Sequence, residues 1–317
     1  LYALDTTGHI RQTCPVPGTT NRDWEAVASD GSYLYLGDFG NNANGGRQDL
    51  RILRIAHLCT DSVQVDTIAF TYAGADSLIP GPANQTDYDC EALVATSDSL
   101  YLFAKQWQSQ GTRTYALPKQ PGSWTAQLRD SLAEPGLITG ASLLDSARVL
   151  MLCGYSTTLQ PFLLLCYDYP ERRFFQGNIR RLKLGLSFHQ IEAIDSPDGL
   201  TAYLTNERFS NVITTPAKLH RLDLQPFLGT YLLGPASTLA AAPINRFRLY
   251  PNPAGEAVTL DLSGGPDQPY ALIDSQGRQI RQGQIRKGSQ ALPLQDLSTG
   301  TYYLITPTQK ELLQIQK

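Results

Sequence analysis

Short runs in which apolar and polar residues alternate, separated by turn residues, recur along the chain and predict strands. Up to about residue 230 these runs come in sets. Each set opens on one pattern, in Asp23-Trp24-Glu25-Ala26-Val27, Asp89-Cys90-Glu91-Ala92-Leu93 and Gln190-Ile191-Glu192-Ala193-Ile194, with Ile138-Thr139-Gly140-Ala141-Ser142-Leu143 as a degenerate copy. A second run follows each opening, such as Tyr33 to Asp38, Leu100 to Lys105, Val149 to Gly154 and Ala202 to Glu207. A third ends in a basic or aromatic residue: Leu50 to Ile55, Thr112 to Leu117, Leu163 to Tyr167, Lys218 to Asp223. Anchored on the shared alanines, the copies recur at roughly 50 to 66 residues, close to the period of a four-stranded propeller blade. The body is therefore expected to be all-β and a β-propeller. A solenoid of β-repeats has a similar period, but the strand number per repeat favours the propeller.

Residues 1 to 17 match the outer two strands of a blade, Leu1 to Asp5 and His9 to Cys14, with no inner pair in front of them. Four repeats and this partial one predict five blades, with six as the alternative and the first blade incomplete. Ala217 to Leu228 are assigned to the third strand of the last repeat, which leaves little to close the first blade. The chain opens on Leu1 with neither an initiator Met nor a signal peptide, so a processed or truncated N-terminus is the expectation. After the propeller, taken as residues 1–230, small residues and proline without periodicity mark a linker over 231–245.

From residue 246 to 317 the pattern changes to a compact β module. Val258 to Leu262, Tyr270 to Ile273, Gln290 to Leu294 and Thr301 to Ile305 alternate, and Ser263-Gly264-Gly265-Pro266, Ser275-Gln276-Gly277 and Ser298-Thr299-Gly300 break them. This predicts a small immunoglobulin-like β-sandwich. Leu249-Tyr250-Pro251-Asn252-Pro253, then Asp274-Ser275-Gln276-Gly277-Arg278, then Leu297 to Tyr303, resembles the C-terminal sorting domain of the type IX secretion system of Bacteroidetes-type bacteria. The resemblance implies export through the outer membrane, a secretion translocon and its sortase as partners of this module, and a product secreted or attached to the cell surface. A plain accessory module that binds a partner is the alternative.

Composition narrows the rest. Charged residues are 17% of the 317 and the net charge is −3, which offers no basic field for nucleic acid or anionic lipid. No apolar run is long enough to cross a bilayer as a helix. Cys14, Cys59, Cys90, Cys153 and Cys166 show no CxxC spacing, so a zinc or redox motif is not expected. Cys153 and Cys166 lie on successive runs and either bridge or stay as buried thiols; an odd number leaves one unpaired.

The candidate chemistry lies in the repeat openings. The first strand of a blade lines the channel of a propeller, so Glu25, Glu91 and Glu192 are expected around one ring, with Asp23 and Asp89 on the same faces. Turns after the second strands add Asp38, Asn41, Asn42, Lys105, Asn206 and Glu207, and Arg47 follows the first of them. Converging oxygens suit a hard cation such as calcium, with Glu25, Glu91 and Glu192 as ligands, or a general acid and base. The alternative role is structural, since buried carboxylates in a ring also accept backbone N–H groups of the next blade. Gly37-Asp38-Phe39-Gly40-Asn41-Asn42 is read either as a binding loop or as a tight turn. Trp24 and Trp107 beside the acids suit either core packing or stacking on a ring. No G-x-S-x-G, H-E-x-x-H or P-loop motif is present, and the four histidines carry no ligand spacing.

The Asp23-Trp24-Glu25 and Gly37 to Asn42 segments followed by Arg47 also resemble a group of secreted propellers of Bacteroidetes, a resemblance that implies a fold and no activity. Ser142 is expected to leave the degenerate copy without an acid. Two functions follow as expectations: an exported propeller that binds a small molecule, glycan or protein at an acidic mouth, or a metal-dependent hydrolase of an ester or phosphoester.

Overall fold

The computed structural model describes residues 1–5, 7–75, 77–133, 135–210, 214–233, 247–262, 267–275, 278–306 and 310–317. They fall into two compact units, Leu1–Leu233 and Gly234–Lys317.

The first unit is a β-propeller. It opens on a hairpin of β1 (Tyr2–Leu4) and β2 (Ile10–Thr13). Two four-stranded antiparallel blades follow: β3 (Trp24–Ser29), β4 (Leu34–Asp38), β5 (Arg51–Ala56), β6 (Gln64–Tyr72), then β7 (Asp89–Ala95), β8 (Ser99–Lys105), β9 (Thr112–Pro118), β10 (Gly122–Leu132). Their outer strands pair in parallel, Ile68 to Tyr72 on Gly122 to Ala126, which ties the two rims into one sheet. The third blade is β11 (Leu137–Leu144), β12 (Val149–Tyr155), β13 (Pro161–Tyr167) and β14 (Asn178–Lys183). In the fourth, β15 (Ile191–Asp195) and β16 (Thr201–Asn206) are followed by a small hairpin, β17 (Phe209–Ser210) and β18 (Thr214–Thr215), before β19 (Lys218–Asp223). The described residues thus build four blades and the two-stranded hairpin of a fifth position.

Apolar layers between blades hold the ring. Ile52, Leu93, Leu102 and Tyr115 pack between blades one and two, Val94, Phe103, Leu152 and Phe162 between two and three, and Met151, Leu165, Ile194 and Leu204 between three and four. A middle strand is therefore covered on both faces, which explains why β12 and β13 read as continuous apolar runs and are buried almost throughout. The rim strand β14 is mostly exposed and carries Arg180, Arg181 and Lys183, charges that discourage edge-to-edge pairing. Each fully buried Leu, Ile or Phe is worth about 1.5–3 kcal/mol, so these layers, rather than the ladders of single blades, carry most of the stability.

Two features differ from the sequence expectation, the helix that ends the first unit and the disulfide. The last repeat ends at Asp223, and the chain then forms α1 (Gln225–Leu233), so the segment expected to begin a linker at 231 is still helical. The Asp223 carboxylate caps it by accepting the Gln225 N–H at 2.9 Å, Pro226 suits its first turn, and Tyr231 packs on Tyr167 with centroids 5.0 Å apart. Residues 234–245 of the expected linker lie outside the described residues. The disulfide joins Cys14 to Cys59, a pairing not foreseen from the sequence, while Cys153 and Cys166 stay as buried thiols, one of the two expected alternatives. The two thiols cannot meet because Cys153 points into the layer toward blade four and Cys166 into the layer toward blade two. The Cys14–Cys59 bond fastens the opening hairpin to the β5–β6 turn, where Leu1 and Val16 already pack against Leu36, Leu53 and Ile55.

The second unit has two sheets. One is β20 (Phe247–Tyr250), β21 (Ala257–Leu262) and β24 (Gly288–Pro293); the other orders β23 (Gln279–Ile285), β22 (Gln268–Asp274), β25 (Gly300–Ile305) and β26 (Lys310–Ile315). Alternate residues of both, among them Val258, Leu260, Leu272, Leu304 and Leu313, meet in a single core, as in a β-sandwich. The turns at 263–266 and 276–277 lie outside the described residues.

Replacing Cys14 and Cys59 together by serine should cost about 2–4 kcal/mol, given a crosslink spanning 45 residues. Urea unfolding of the variant, and of the wild type with and without reductant, measures this. Equal midpoints in all three would show that the bond contributes nothing.

Candidate functional site

One backbone irregularity repeats in every blade. The pairing of each inner strand with its neighbour slips by one residue, between Trp24 and Ala26, Cys90 and Ala92, Ile138 and Gly140, and Ile191 and Ala193. The extra residues are Glu25, Glu91, Thr139 and Glu192. A β-bulge leaves its extra residue outside the ladder and re-aims its side chain, and all four line one cavity of about 660 Å³ with the rest of the inner strands. The degenerate copy therefore contributes Thr139, one residue before the Gly140 that matching alanines would place there, and Ser142, expected to leave this copy without an acid, lines the same cavity. The Thr139 hydroxyl donates to the Ile191 carbonyl, tying blade three to blade four. Gly140 allows that approach, since a Cβ there would lie 2.8 Å from the Cys153 sulfur and 3.0 Å from the Ala193 Cα.

The bulged glutamates have unequal surroundings. Glu91 is buried and accepts from Lys105 Nζ at 3.1 Å. Lys105, also buried, donates to the Tyr155 hydroxyl at 3.2 Å and lies over the Trp107 ring, 4.6 Å from its centroid. Burial opposes charge on Lys105, but Glu91, Tyr155, Glu192 and Asp89 together raise its pKa above the ordinary lysine value. Glu91 is itself raised well above the ordinary carboxyl value, by burial first, with the Lys105 ammonium opposing and Asp89, Glu25 and Glu192 adding to the rise. Glu25 has no such cation. Burial first, then the carboxylates of Asp23 and Asp89, push it up to about 8. Glu192 is pushed up to about 7, by burial and then by Glu207, with Lys105 and a hydrogen bond to Tyr155 opposing. Asp23 is raised as well, by burial and then by Asp89, and hydrogen-bonds to Glu25. A Cβ on Gly40 would lie 2.4 Å from both Asp23 Oδ2 and Glu25 Oε1, so glycine is what lets the loop backbone cover this pair.

The Gly37 to Asn42 loop, read as a binding loop or a tight turn, has most of its polar groups engaged by the fold. Arg47 donates through Nη2 to Asp38 Oδ1 at 2.6 Å and to the Asp38 carbonyl at 2.9 Å, and through Nη1 to the Gly40 carbonyl at 3.2 Å. Asp38 is fully buried and also takes Arg51 at 2.8 Å. The Asn41 side chain donates to the carbonyls of Gly45 and Tyr88 and accepts the Arg47 N–H. Its own N–H goes to Asp89 Oδ1 at 2.7 Å, while Asp89 Oδ2 accepts the Trp107 indole at 2.8 Å. Asn41 and Asp89 thus tie blade one to blade two, with Asp38 and Arg47 holding the loop that carries Asn41, and Trp107 has both its N–H and one face occupied. Asn42 is half-buried, and its carbonyl accepts the Asn84 N–H. Asn206 bonds the carbonyls of Glu207 and Pro216 and the His220 ring. Glu207 is exposed on the rim.

Glu25, Glu192, Asp23 and Glu207 are therefore the expected residues that remain open to a ligand, with the Lys105–Glu91 pair behind them. The calcium expectation does not fit this arrangement: among the described residues no three acidic, histidine or cysteine side chains gather as a ligand set, and the cation beside Glu91 is Lys105. Tyr155 and Gln190, whose amide reaches the Tyr155 hydroxyl at 3.4 Å, escaped the sequence reading. The signal was positional, because Tyr155 pairs with Leu137 just as Lys105 pairs with Asp89, two residues before the bulge.

The fold and this channel define a propeller carrying a C-terminal β-sandwich. Residues 248–317 match the family described as the secretion system C-terminal sorting domain. The module is thus a type IX secretion sorting domain, it engages that secretion machinery, and the protein is exported, secreted or attached to the outer cell surface. Among the described residues no helix is long and apolar enough to cross a membrane. No curated protein matches the chain in sequence. Similar solved structures include PorZ, a surface component of the type IX secretion system of Porphyromonas gingivalis. It is 11% identical with a TM-score of 0.33, and the match covers 98% of this chain but 61% of PorZ. The periplasmic gluconolactonase PpgL of Pseudomonas aeruginosa is 12% identical with a TM-score of 0.37, covering 99% of this chain and 91% of PpgL. Likeness at this level transfers no activity.

The raised carboxyls set a pH dependence. Glu25 and Glu192, raised from 4.5 to about 8 and about 7, hold protons in the fold that the unfolded chain releases, so stability falls as pH climbs from about 5 to about 8. Glu25→Gln should match the wild type near pH 5 and exceed it by on the order of 2 kcal/mol at pH 9. Urea melts at pH 5, 7 and 9 provide the comparison; a variant that tracks the wild type across the range would contradict the assignment.

Proposed function

We propose that this is a binding protein of the cell exterior, exported through contacts of residues 246–317 with the type IX translocon and its sortase, whose propeller holds an extracellular ligand at the acidic channel mouth. The observation that supports this reading is the fourfold bulge, which brings Glu25, Glu91, Thr139 and Glu192 to one cavity of about 660 Å³. That volume suits a ligand site. Carboxyls there outnumber the internal cation, so Glu25 and Glu192 have hydrogen-bonding capacity that the fold does not consume. The ligand is then a group that donates hydrogen bonds or carries positive charge.

A second reading, an ester or phosphoester hydrolase, is favoured by one observation. Glu25 and Glu192 face the same space with pKa values pushed to about 8 and about 7, the range in which one carboxyl donates and another accepts a proton at neutral pH. In this reading protonated Glu25 is the general acid and Glu192 the base.

Both readings are tested on the full chain with one pair of variants, Glu25→Gln and Glu192→Gln. Calorimetric titration with arginine, spermidine and cello-oligosaccharides should find at least one probe class whose affinity falls tenfold or more in each variant, about 1.4 kcal/mol. Binding that ignores both substitutions would remove the mouth as the site. Turnover of p-nitrophenyl acetate or p-nitrophenyl phosphate that disappears in Glu192→Gln would instead select the hydrolase.

A further inference from the structure

Two histidines that are far apart in the sequence meet outside the channel. His189 ends the loop between β14 and β15, and His220 lies on β19, paired with Leu204 on the face of blade four that packs against blade three. Both are half-buried. Their ring centroids are 5.5 Å apart and the planes cross at 72°. The loop is pinned where it delivers His189. Phe188 holds a φ of 65°, a conformation that bulky residues rarely adopt. Its N–H goes to the Leu159 carbonyl at 2.9 Å, and the His189 N–H to the Leu186 carbonyl at 3.2 Å.

The partners of each ring decide where its proton sits. His189 Nδ1 lies 3.0 Å from the Ser187 carbonyl oxygen. A carbonyl only accepts, so Nδ1 carries the proton and Nε2 the lone pair. His220 Nε2 lies 2.8 Å from Asn206 Oδ1. The Asn206 amide cannot be turned round, because its Nδ2 donates to the carbonyls of Glu207 at 2.6 Å and Pro216 at 2.9 Å. Oδ1 therefore accepts, and His220 keeps its lone pair on Nδ1. Among the described residues no donor meets either lone pair. Burial, then His189 and Lys218, push the His220 pKa below its ordinary value, and neutral imidazole is the form that ligates a metal.

This is how metal-binding histidines are held: one ring N–H donates to an oxygen acceptor, which fixes the tautomer and the ring orientation, and the other nitrogen faces the ion. With metal–nitrogen bonds of about 2.0–2.1 Å, two imidazoles on one ion have centroids roughly 5–6 Å apart, which matches this pair. We propose that His189 and His220 bind one first-row transition ion of the nickel, copper and zinc group, with water in the remaining positions. Imidazole suits those ions, whereas calcium and magnesium take oxygen ligands. The site uses none of the channel glutamates and is independent of any ligand at the mouth. An ion there ties the loop before β15 to β19, the last strand of blade four.

The test uses the untagged, metal-free full chain. Calorimetric titration with Ni2+ and Zn2+ should show one equivalent bound, Zn2+ should raise the melting temperature, and the paramagnetic resonance spectrum with Cu2+ should show two coordinated nitrogens. His189→Ala and His220→Ala should each weaken binding tenfold or more, while the double variant His9→Asn/His57→Asn binds like the wild type. His189 lies on a loop, so an unchanged melting curve of its variant without metal certifies the fold even if His220→Ala unfolds. No saturable binding up to about 1 mM, binding that ignores His189→Ala, or equal binding of Ca2+ overturns the proposal. Binding lost in Glu25→Gln and kept in His189→Ala would place the ion at the channel mouth, which also overturns it.

Discussion

The bulge at the head of each inner strand is the constraint on which the rest of the propeller depends. Without it the pleat would send Glu25, Glu91, Thr139 and Glu192 into the apolar layers between blades, where an unpaired carboxylate costs several kcal/mol. One extra residue per strand takes the polar side chain out of that alternation and lets the residues after it, such as Ala26 and Leu93, return to the layers. The ring can then be apolar between blades and acidic at its axis. Small residues follow from the same geometry, because Gly40 and Gly140 sit where backbone passes within side-chain distance of the bulge or the next strand.

What the acids do is decided by where cations fall. Asp38 has Arg47 and Arg51, and Glu91 has Lys105; these pairs lie within blades one and two, while the bonds that join blades run from Asn41 to Asp89 and from Lys105 to Tyr155. Buried pairs of this kind are weak evidence for net stability, but removing one partner strands the other, so each holds its own strand end and loop in place. Asp23, Glu25 and Glu192 receive no cation of their own. Their charge is suppressed by protons instead, and a bound proton, unlike a lysine, can leave when something else arrives.

Much of this could be read from residue order. The strand sets, the blade period, the repeated glutamates and the sorting module were legible because each rests on local alternation or a contiguous motif. Pairing across long separations was not. Nothing in the spacing of Cys14 and Cys59 marks them as partners across 45 residues, and the buried pair Cys153 and Cys166 looked equivalent although the two face different layers. The Gly37 to Asn42 loop stayed ambiguous for a chemical reason, since asparagine, aspartate and arginine beside glycines describe equally a site that binds a ligand and one that binds its own backbone. Only the partners of Asn41 and Arg47 separate the two. The helix at 225–233 was hidden by its apolar run, although Asp223 two residues before Gln225-Pro226 carries a capping signature.

The division between spent and unspent carboxyls also bears on the fourth position of the ring. Had Thr139 been a fourth glutamate, the cavity would hold another charge with Lys105 already committed to Glu91. It would also have lost the hydroxyl that clamps blade three to the Ile191 carbonyl. With threonine there, Glu91 is paired with Lys105 and Thr139 is bonded to the next blade, and the carboxyls in the cavity without a cation of their own are Glu25 and Glu192. The asymmetry that looked in the sequence like decay of one repeat is what confines the uncompensated acid of the channel to the inner strands of the first and fourth blades.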